Sequence, residues 1–356
     1  MNYVFQFIKN YILSFEEKSG FWKLIDHMYR NLSLQKLRLK SLLFILLILS
    51  FHFSDAQKAG ILFKQMDSLA RIADSAKNED QDTLMYHSTT RINIPGYFLL
   101  LGSNLKQQVT APFHTSKQGW KKLGAFTVGT IALSFADVPI QKQAFRLRNN
   151  SETVRKVSRF ITNFGGPYET YTLLSLGTYG ILFHDEKLKN ATLLATQAYI
   201  TGGMIESVAK YLTGRQRPSY YGVDTLGRPT FHGPFSIAGR EYNGQTVSSS
   251  FPSGHTTVAF AAATVFAMEY RNKPWVPVLA YSAASLIGIS RITENRHWAT
   301  DVLVGAALGY LSGRQVVNNY HRYAFLKSAG KKPAPLTFSF RYDFGRFMPA
   351  LVYHID

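Results

Sequence analysis

The 356-residue chain contains no cysteine. That absence excludes disulfides, thiolate metal sites and cysteine nucleophiles in one step. It leaves the compartment open, since an envelope protein can do without disulfides. Charge is scarce as well: 17% of residues are Asp, Glu, Lys or Arg, against about 25% in an average soluble domain. Acidic residues are the scarcer sign, 22 against 40 Lys and Arg, which leaves a net charge of +18. No internal repeat or low-complexity tract is present. Apolar and aromatic residues are abundant, at 46% and 14%. They exclude global disorder and supply a sizeable core. A chain this basic calls for an anionic counterpart: nucleic acid, a membrane surface or a phosphorylated molecule.

The amino-terminal region reads as targeting. Lys36, Arg38 and Lys40 precede an apolar run from Leu42 to Phe53, and Ser54 and Ala56 suit cleavage before Gln57. A charged region, a short apolar region and a small-x-small site make up a secretory signal. The run of about 12 residues falls short of the roughly 20 that cross a bilayer. Met28 begins a signal of ordinary length. Residues 1–56 are therefore expected to be a signal peptide or targeting segment, the alternatives being an uncleaved anchor or a buried helix. They hold seven Lys/Arg and four Asp/Glu, so most of the basic excess belongs to the remainder. Residues 57–119 read as an amphipathic helix spaced on Ile61, Met66, Leu69 and Ile72, followed by loop.

Apolar segments then recur at 124–140, 171–183, 191–212, 255–270, 275–290 and 298–313. Their lengths straddle buried and membrane-crossing helices. Tyr or Trp stands at many of their ends, as interfacial anchors do. Gly305, Gly309 and Gly313 lie four apart, a spacing that admits a close helix neighbour. The stretch 213–254, with Tyr220, Tyr221, His232, Arg240 and Tyr242, is a long loop expected to shape an entrance. Residues 317–356 read as a basic linker and a strand pattern, Leu336 to Phe344, turning at Gly345-Arg346 into a second strand near Tyr353. Residues 91–101 are the candidate edge for that hairpin. The predicted fold is all-α: a bundle of about six core helices, membrane-associated, with a small C-terminal β-hairpin.

Three clusters carry chemistry. Lys210, Arg215 and Arg217 stand near the end of one apolar segment, with Pro218 as its expected stop. Cations at a helix end beside a loop suit an anion. Ser253, Gly254 and His255 open the next helix. A helix N-terminus offers free amides to an anion, Gly254 lets an oxyanion approach, and His255 exchanges protons near neutrality. His297 and Asp301 stand four apart at the start of a further segment, with Arg291 before them. On a helix they share a face, and the carboxylate would fix the imidazole tautomer.

Taken in order, Lys210-x6-Arg217-Pro218, then Pro252-Ser253-Gly254-His255, then Ser290-Arg291-x5-His297-x3-Asp301 resemble the type-2 phosphatidic acid phosphatase and vanadium haloperoxidase superfamily. The resemblance spans roughly 120–316, taken as the catalytic domain. It implies a helical bundle and a phosphohistidine mechanism: His297 as nucleophile, Asp301 orienting it, His255 as acid and then base. It also implies that Lys210, Arg217, Arg291, Ser253 and Gly254 hold the phosphoryl oxygens. Three cations stand where other phosphatases use metal, and no acidic metal cluster is evident, so no metal or other cofactor is expected. Arg215 and Arg296 lie beside the motif positions and are read as supporting or surface residues. The expected activity is hydrolysis of phosphate monoesters or pyrophosphates on lipid-linked substrates, at a membrane, without nucleic acid. A soluble periplasmic acid phosphatase is the alternative; a vanadate-dependent haloperoxidase and a non-catalytic membrane protein are remote. The expected location is a bacterial-type envelope with the site facing the periplasm. Lys and Arg in the connecting loops are balanced between the two ends, so charge does not set the topology.

Overall fold

The computed structural model describes residues 60–69, 88–220, 226–234, 241–242, 245–246, 249–329, 336–343 and 346–353. The targeting segment expected over 1–56 lies outside these. The region Leu62–Asp356 forms one compact unit.

Ten helices are described. After α1 (60–69) comes α2 (Ile94–His114), opened by Asn93, whose side chain accepts from the Gly96 amide. Next are α3 (Lys117–Ser134), α4 (Asp137–Asn150) and α5 (Glu152–Thr162). A 3-10 turn at Asn163–Gly165 leads into α6 (Pro167–Leu182), with proline where its missing N–H costs nothing. Helix α7 (Glu186–Thr213) is capped by Asp185 and ends at Gly214 with φ 53°. The predicted stop at Pro218 is therefore corrected: glycine in the left-handed region ends this helix first. Then follow α8 (Gly254–Glu269), α9 (Trp275–Thr293) and α10 (Ala299–Ala329).

Helix α8 is the axis, packed against α7, α9 and α10. Its buried residues are mostly Ala, Thr and Val, small enough for three helices to close on it. The glycines at 305, 309 and 313 face it. A Cβ at any of them would run into the carbonyl of Ser253, Thr257 or Ala261. The apolar core continues through Leu194, Ala198, Val265, Val316, Val317 and Tyr320. Those last three explain why α10 runs on to Ala329, well past the apolar segment ending at 313.

Two further expectations are corrected. The segment 124–140 is two helices, α3 and α4, bent by 57° at Phe135–Ala136. Residues 91–101 are no strand edge, because α2 starts at Ile94. Its residues hide a helix from pattern reading because the buried face is amide. Asn104 donates to Gln197 Oε1 at 2.8 Å, Asn319 donates to Asn104 Oδ1 at 2.8 Å, and Gln107 donates to Asn319 Oδ1 at 2.8 Å. These polar side chains interrupt the hydrophobic period while satisfying one another.

At the C-terminus, β1 (Leu336–Asp343) pairs antiparallel with β2 (Arg346–Tyr353), Leu336 opposite Tyr353 and Asp343 opposite Arg346. Among the described residues α9 is long and apolar enough to cross a membrane, and α3 with α4 passes the same test as a bent pair. The six apolar segments thus reduce to one or two of spanning character. Helix α9 leaves Trp275, Val278, Leu279, Leu286 and Ile289 exposed.

Candidate active site

All eight predicted residues come to one end of the bundle. Lys210 is in the last turn of α7, Ser253 caps α8, and Gly254 and His255 begin it. Arg291 ends α9 and Asp301 lies in the first turn of α10. Arg217 and His297 stand on the loops between. A cavity of about 610 Å³ opens here, lined by Arg217, His255 and Arg291 together with Arg148, Arg159 and Arg296. Sequence reading missed Arg148 and Arg159, which α4 and α5 bring in from a distance. It also placed Arg296 among supporting or surface residues, whereas Arg296 faces the cavity.

His297 is 1% exposed. Its Nδ1 lies 2.7 Å from the Ser250 carbonyl oxygen. A carbonyl only accepts, so the hydrogen is on Nδ1 and Nε2 keeps its lone pair. The predicted direct bond to Asp301 is corrected: Nδ1 and Asp301 Oδ2 are 3.7 Å apart, beyond hydrogen-bond reach. Helix α10 begins at Ala299, so His297 precedes it and the one-turn spacing does not bring the two together. Asp301 instead accepts from Ser250 Oγ at 2.5 Å and from the Trp298 amide at 2.8 Å. It steadies the residue whose carbonyl holds the imidazole.

Behind Asp301 stands Arg215, 2% exposed. It donates to Asp301 Oδ1 at 2.5 Å, Thr300 Oγ1 at 2.7 Å and Asp137 Oδ2 at 2.7 Å. Its guanidinium carbon lies 5.0 Å from the Phe231 ring centre. Asp137 in turn accepts from the Thr300 amide and hydroxyl at 3.0 and 2.6 Å. Asp137 lies inside the apolar segment 124–140. The usable signal was that a carboxylate inside an apolar stretch must find a partner. The turn carrying His297 is also pinned: Asn295 has φ 57°, and Gln141 donates to its Oδ1 at 2.9 Å and to the Ile292 carbonyl at 2.9 Å.

The cations are held by short polar contacts. Lys210 pairs with Glu206, one turn earlier on α7. Arg217 donates to Ser249 Oγ at 3.0 Å, and Arg291 donates to Thr162 Oγ1 at 2.7 Å. Ser253 Oγ accepts from Thr256 Oγ1 at 2.9 Å, which leaves its own hydrogen to donate. A side chain on Gly254 would strike the Glu206 carboxylate. Of the entrance residues, Tyr221 and Arg240 fall outside the described set. His232 Nε2 lies 3.4 Å from Gln216 Oε1 and does not line the cavity.

Electrostatics ties the groups together. Burial first, and then Arg296, pulls the Arg217 pKa down to about 10. Burial also drives His297 well below the usual imidazole range, and Arg217, Arg291 and Lys210 add to it. His255 is depressed by burial and then by Arg291, His297, Lys210 and Arg217. Burial raises Asp301, opposed mainly by Arg215. Both imidazoles are neutral at pH 7, in a basin whose field favours an anion.

Residues 191–324 match the family model of the PAP2 superfamily. The chain is 50% identical over 93 residues to a lipid A 1-phosphatase of Porphyromonas gingivalis, which covers 26% of this chain and 21% of that protein. It is 33% identical over 171 residues to lipid phosphate phosphatase 1 of Arabidopsis thaliana, covering 39% and 50%. The chain thus spans half or less of these two relatives. A solved structure, a transmembrane PAP2-type phosphatidylglycerolphosphate phosphatase from Bacillus subtilis, is 24% identical, covering 67% of this chain and 97% of that one with a TM-score of 0.40. All three motifs, from Lys210 to Asp301, fall inside the stretch that matches the PAP2 superfamily model.

Proposed function

We propose that the chain is a metal-independent phosphatase acting on lipid-linked phosphate monoesters or pyrophosphates through a phosphohistidine intermediate. The observation that carries this reading is the imidazole of His297: protonated on Nδ1 by its bond to the Ser250 carbonyl, it keeps a lone pair on Nε2 beside three cations. In the proposed reaction Nε2 attacks phosphorus in line while His255 gives a proton to the leaving oxygen. His255 then takes a proton from water, which cleaves the phosphorus–nitrogen bond and frees His297. Lys210, Arg217 and Arg291, with the Ser253 hydroxyl and the Gly254 amide, hold the three phosphoryl oxygens and offset their charge. A bound phosphoryl group counters the cations that depress His255, so substrate itself raises the proton affinity of the acid. Asp301 acts through Ser250, and Arg215 and Asp137 hold Asp301.

The lipid part of the reading is supported by the relatives' names, lipid A 1-phosphatase and lipid phosphate phosphatase, and by the apolar residues that α9 leaves exposed. We assign the site to the periplasmic side of a bacterial-type envelope. Phosphate release by the purified protein from phosphatidic acid, phosphatidylglycerophosphate, undecaprenyl pyrophosphate and lipid A, with a soluble aryl phosphate beside them, tests the reading. Lipid phosphates are expected to be preferred. An acid-labile label from ³²P-substrate is expected on His297; a label elsewhere, or turnover that survives His297→Ala, overturns the mechanism.

A further inference from the structure

A second cavity, of about 670 Å³, runs between α6, α8 and α9, within the size range of ligand pockets. Its walls are apolar: Leu173 and Leu176 on α6, Ala259 and Ala263 on α8, Leu279 and Ala283 on α9. One acidic side chain lines it. Glu169, in the first turn of α6, is 7% exposed, and neither carboxyl oxygen has a hydrogen-bond partner. Burial lifts its pKa to about 8, so near neutrality the group is mostly the acid, with one O–H to donate. A buried donor with nothing to bond is costly, and in a groove it marks the place of a ligand acceptor.

The groove starts where the phosphate site ends. Both use the turn at 161–166: Ile161 lines the groove, while its neighbour Thr162 accepts from Arg291. A Cβ on Gly165 would touch Ile287 Cγ2 of the groove at 2.6 Å and His255 Cβ of the site at 2.9 Å. A phosphate seated among the cations therefore has a largely apolar channel beside it, with the Glu169 carboxyl among its lining groups.

We propose that this groove receives an acyl chain of the phosphorylated substrate and that the Glu169 carboxyl donates a hydrogen bond to the carbonyl of that chain. The inference rests on the reading above of a lipid phosphatase and adds how the lipid is recognised.

The test compares kcat/KM for ester-linked and ether-linked phosphatidic acids of equal chain length. The parent protein is expected to favour the ester roughly five-fold, the worth of one hydrogen bond. Glu169→Gln, which still donates, is expected to keep the preference, and Glu169→Leu to level it. Ala263→Phe, which fills the groove, is expected to raise KM for long-chain lipid roughly ten-fold relative to an aryl phosphate. An ester preference that survives Glu169→Leu overturns the assignment of the carboxyl. A parallel loss on lipid and aryl phosphate in Ala263→Phe overturns the groove. If the parent protein hydrolyses none of these, the phosphatase reading fails separately. The groove is then judged by photolabelling with an ester-linked phosphatidic acid carrying a diazirine near the tail end. Labelled residues on α6 and α9 that fade in Glu169→Leu support the inference, and labelling equal in the two proteins overturns it.

Discussion

Two buried polar clusters hold this bundle together, and they differ in charge. The seam between α2, α7 and α10 is built from Asn104, Gln107, Gln197, Gln315 and Asn319, amides that donate to and accept from one another. Its amides are uncharged, and at its edge it takes one charged donor, Arg322, which gives to Gln107 Oε1 at 3.0 Å. The cluster at the end of α7 and the start of α10 is ionic. There Arg215 sits between Asp137 and Asp301, while Lys210, Arg217 and Arg291 leave positive charge over at the cavity. A neutral network satisfies its own members and fixes helix positions. A charged one with a surplus of one sign is complete only when an ion of the other sign enters. The first reads as architecture, the second as a binding site with its supports.

The sharpest way to separate the two is to remove the proposed nucleophile. His297→Ala is expected to lower kcat by about four orders of magnitude or more, while stability falls only by the roughly 1–3 kcal/mol of one lost buried hydrogen bond. Asp137→Asn tests the ionic cluster from its far side. It keeps a side chain of the same shape but leaves Arg215 with one carboxylate fewer, at an expected cost of about 3 kcal/mol in denaturant unfolding. It is also expected to lower kcat about a hundred-fold with little change in KM, because Asp301 and Ser250 no longer hold the imidazole in one place. Equal loss in kcat and in the amount of folded protein would make Asp137 architectural instead. Asn319→Leu breaks the neutral seam. Stranding its partners is expected to cost about 1–3 kcal/mol and to leave the kcat of the folded protein unchanged.

The smallest expected effect is on pH dependence. His255 is neutral in the folded protein, its pKa pushed far down by burial and then by the cations around it. On unfolding it binds a proton at any pH below about 6.5. The unfolded state then holds more protons, so stability falls as pH drops below that value, by about 1.4 kcal/mol per pH unit for this group. Unfolding midpoints measured between pH 6.5 and 5 are expected to fall less steeply in His255→Ala. A slope equal to the parent's would mean that His255 is charged in the folded protein.

Much of the site was legible because its chemistry sits in short motifs. Spacing put Ser253, Gly254 and His255 at a helix start, and charge marked Lys210, Arg215 and Arg217 alike; the family resemblance selected Lys210, Arg217 and Arg291. The less legible parts act across distance. Ser250 holds His297 through a backbone carbonyl, which any residue carries, so no residue type announces it. Arg215 and Asp137 meet across 78 positions. Helix α2 was read as loop because its core face is amide, and hydropathy scores a satisfied Asn no differently from a solvated one.

The order of amino acids by itself determined the central helices and gathered the candidate groups into short motifs. Apolar segments of Ala and Thr make close-packed helices, glycines four apart admit a neighbour, and basic residues collect at helix ends. These are local properties, set within a turn or two of backbone. Tertiary structure alone decided which partner each buried polar group takes. It gave His297 the carbonyl of Ser250 in place of the carboxylate of Asp301, and gave that carboxylate Arg215, because hydrogen bonds depend on positions that only packing establishes. It also opened the apolar groove beside the cations and left Glu169 in it without a partner.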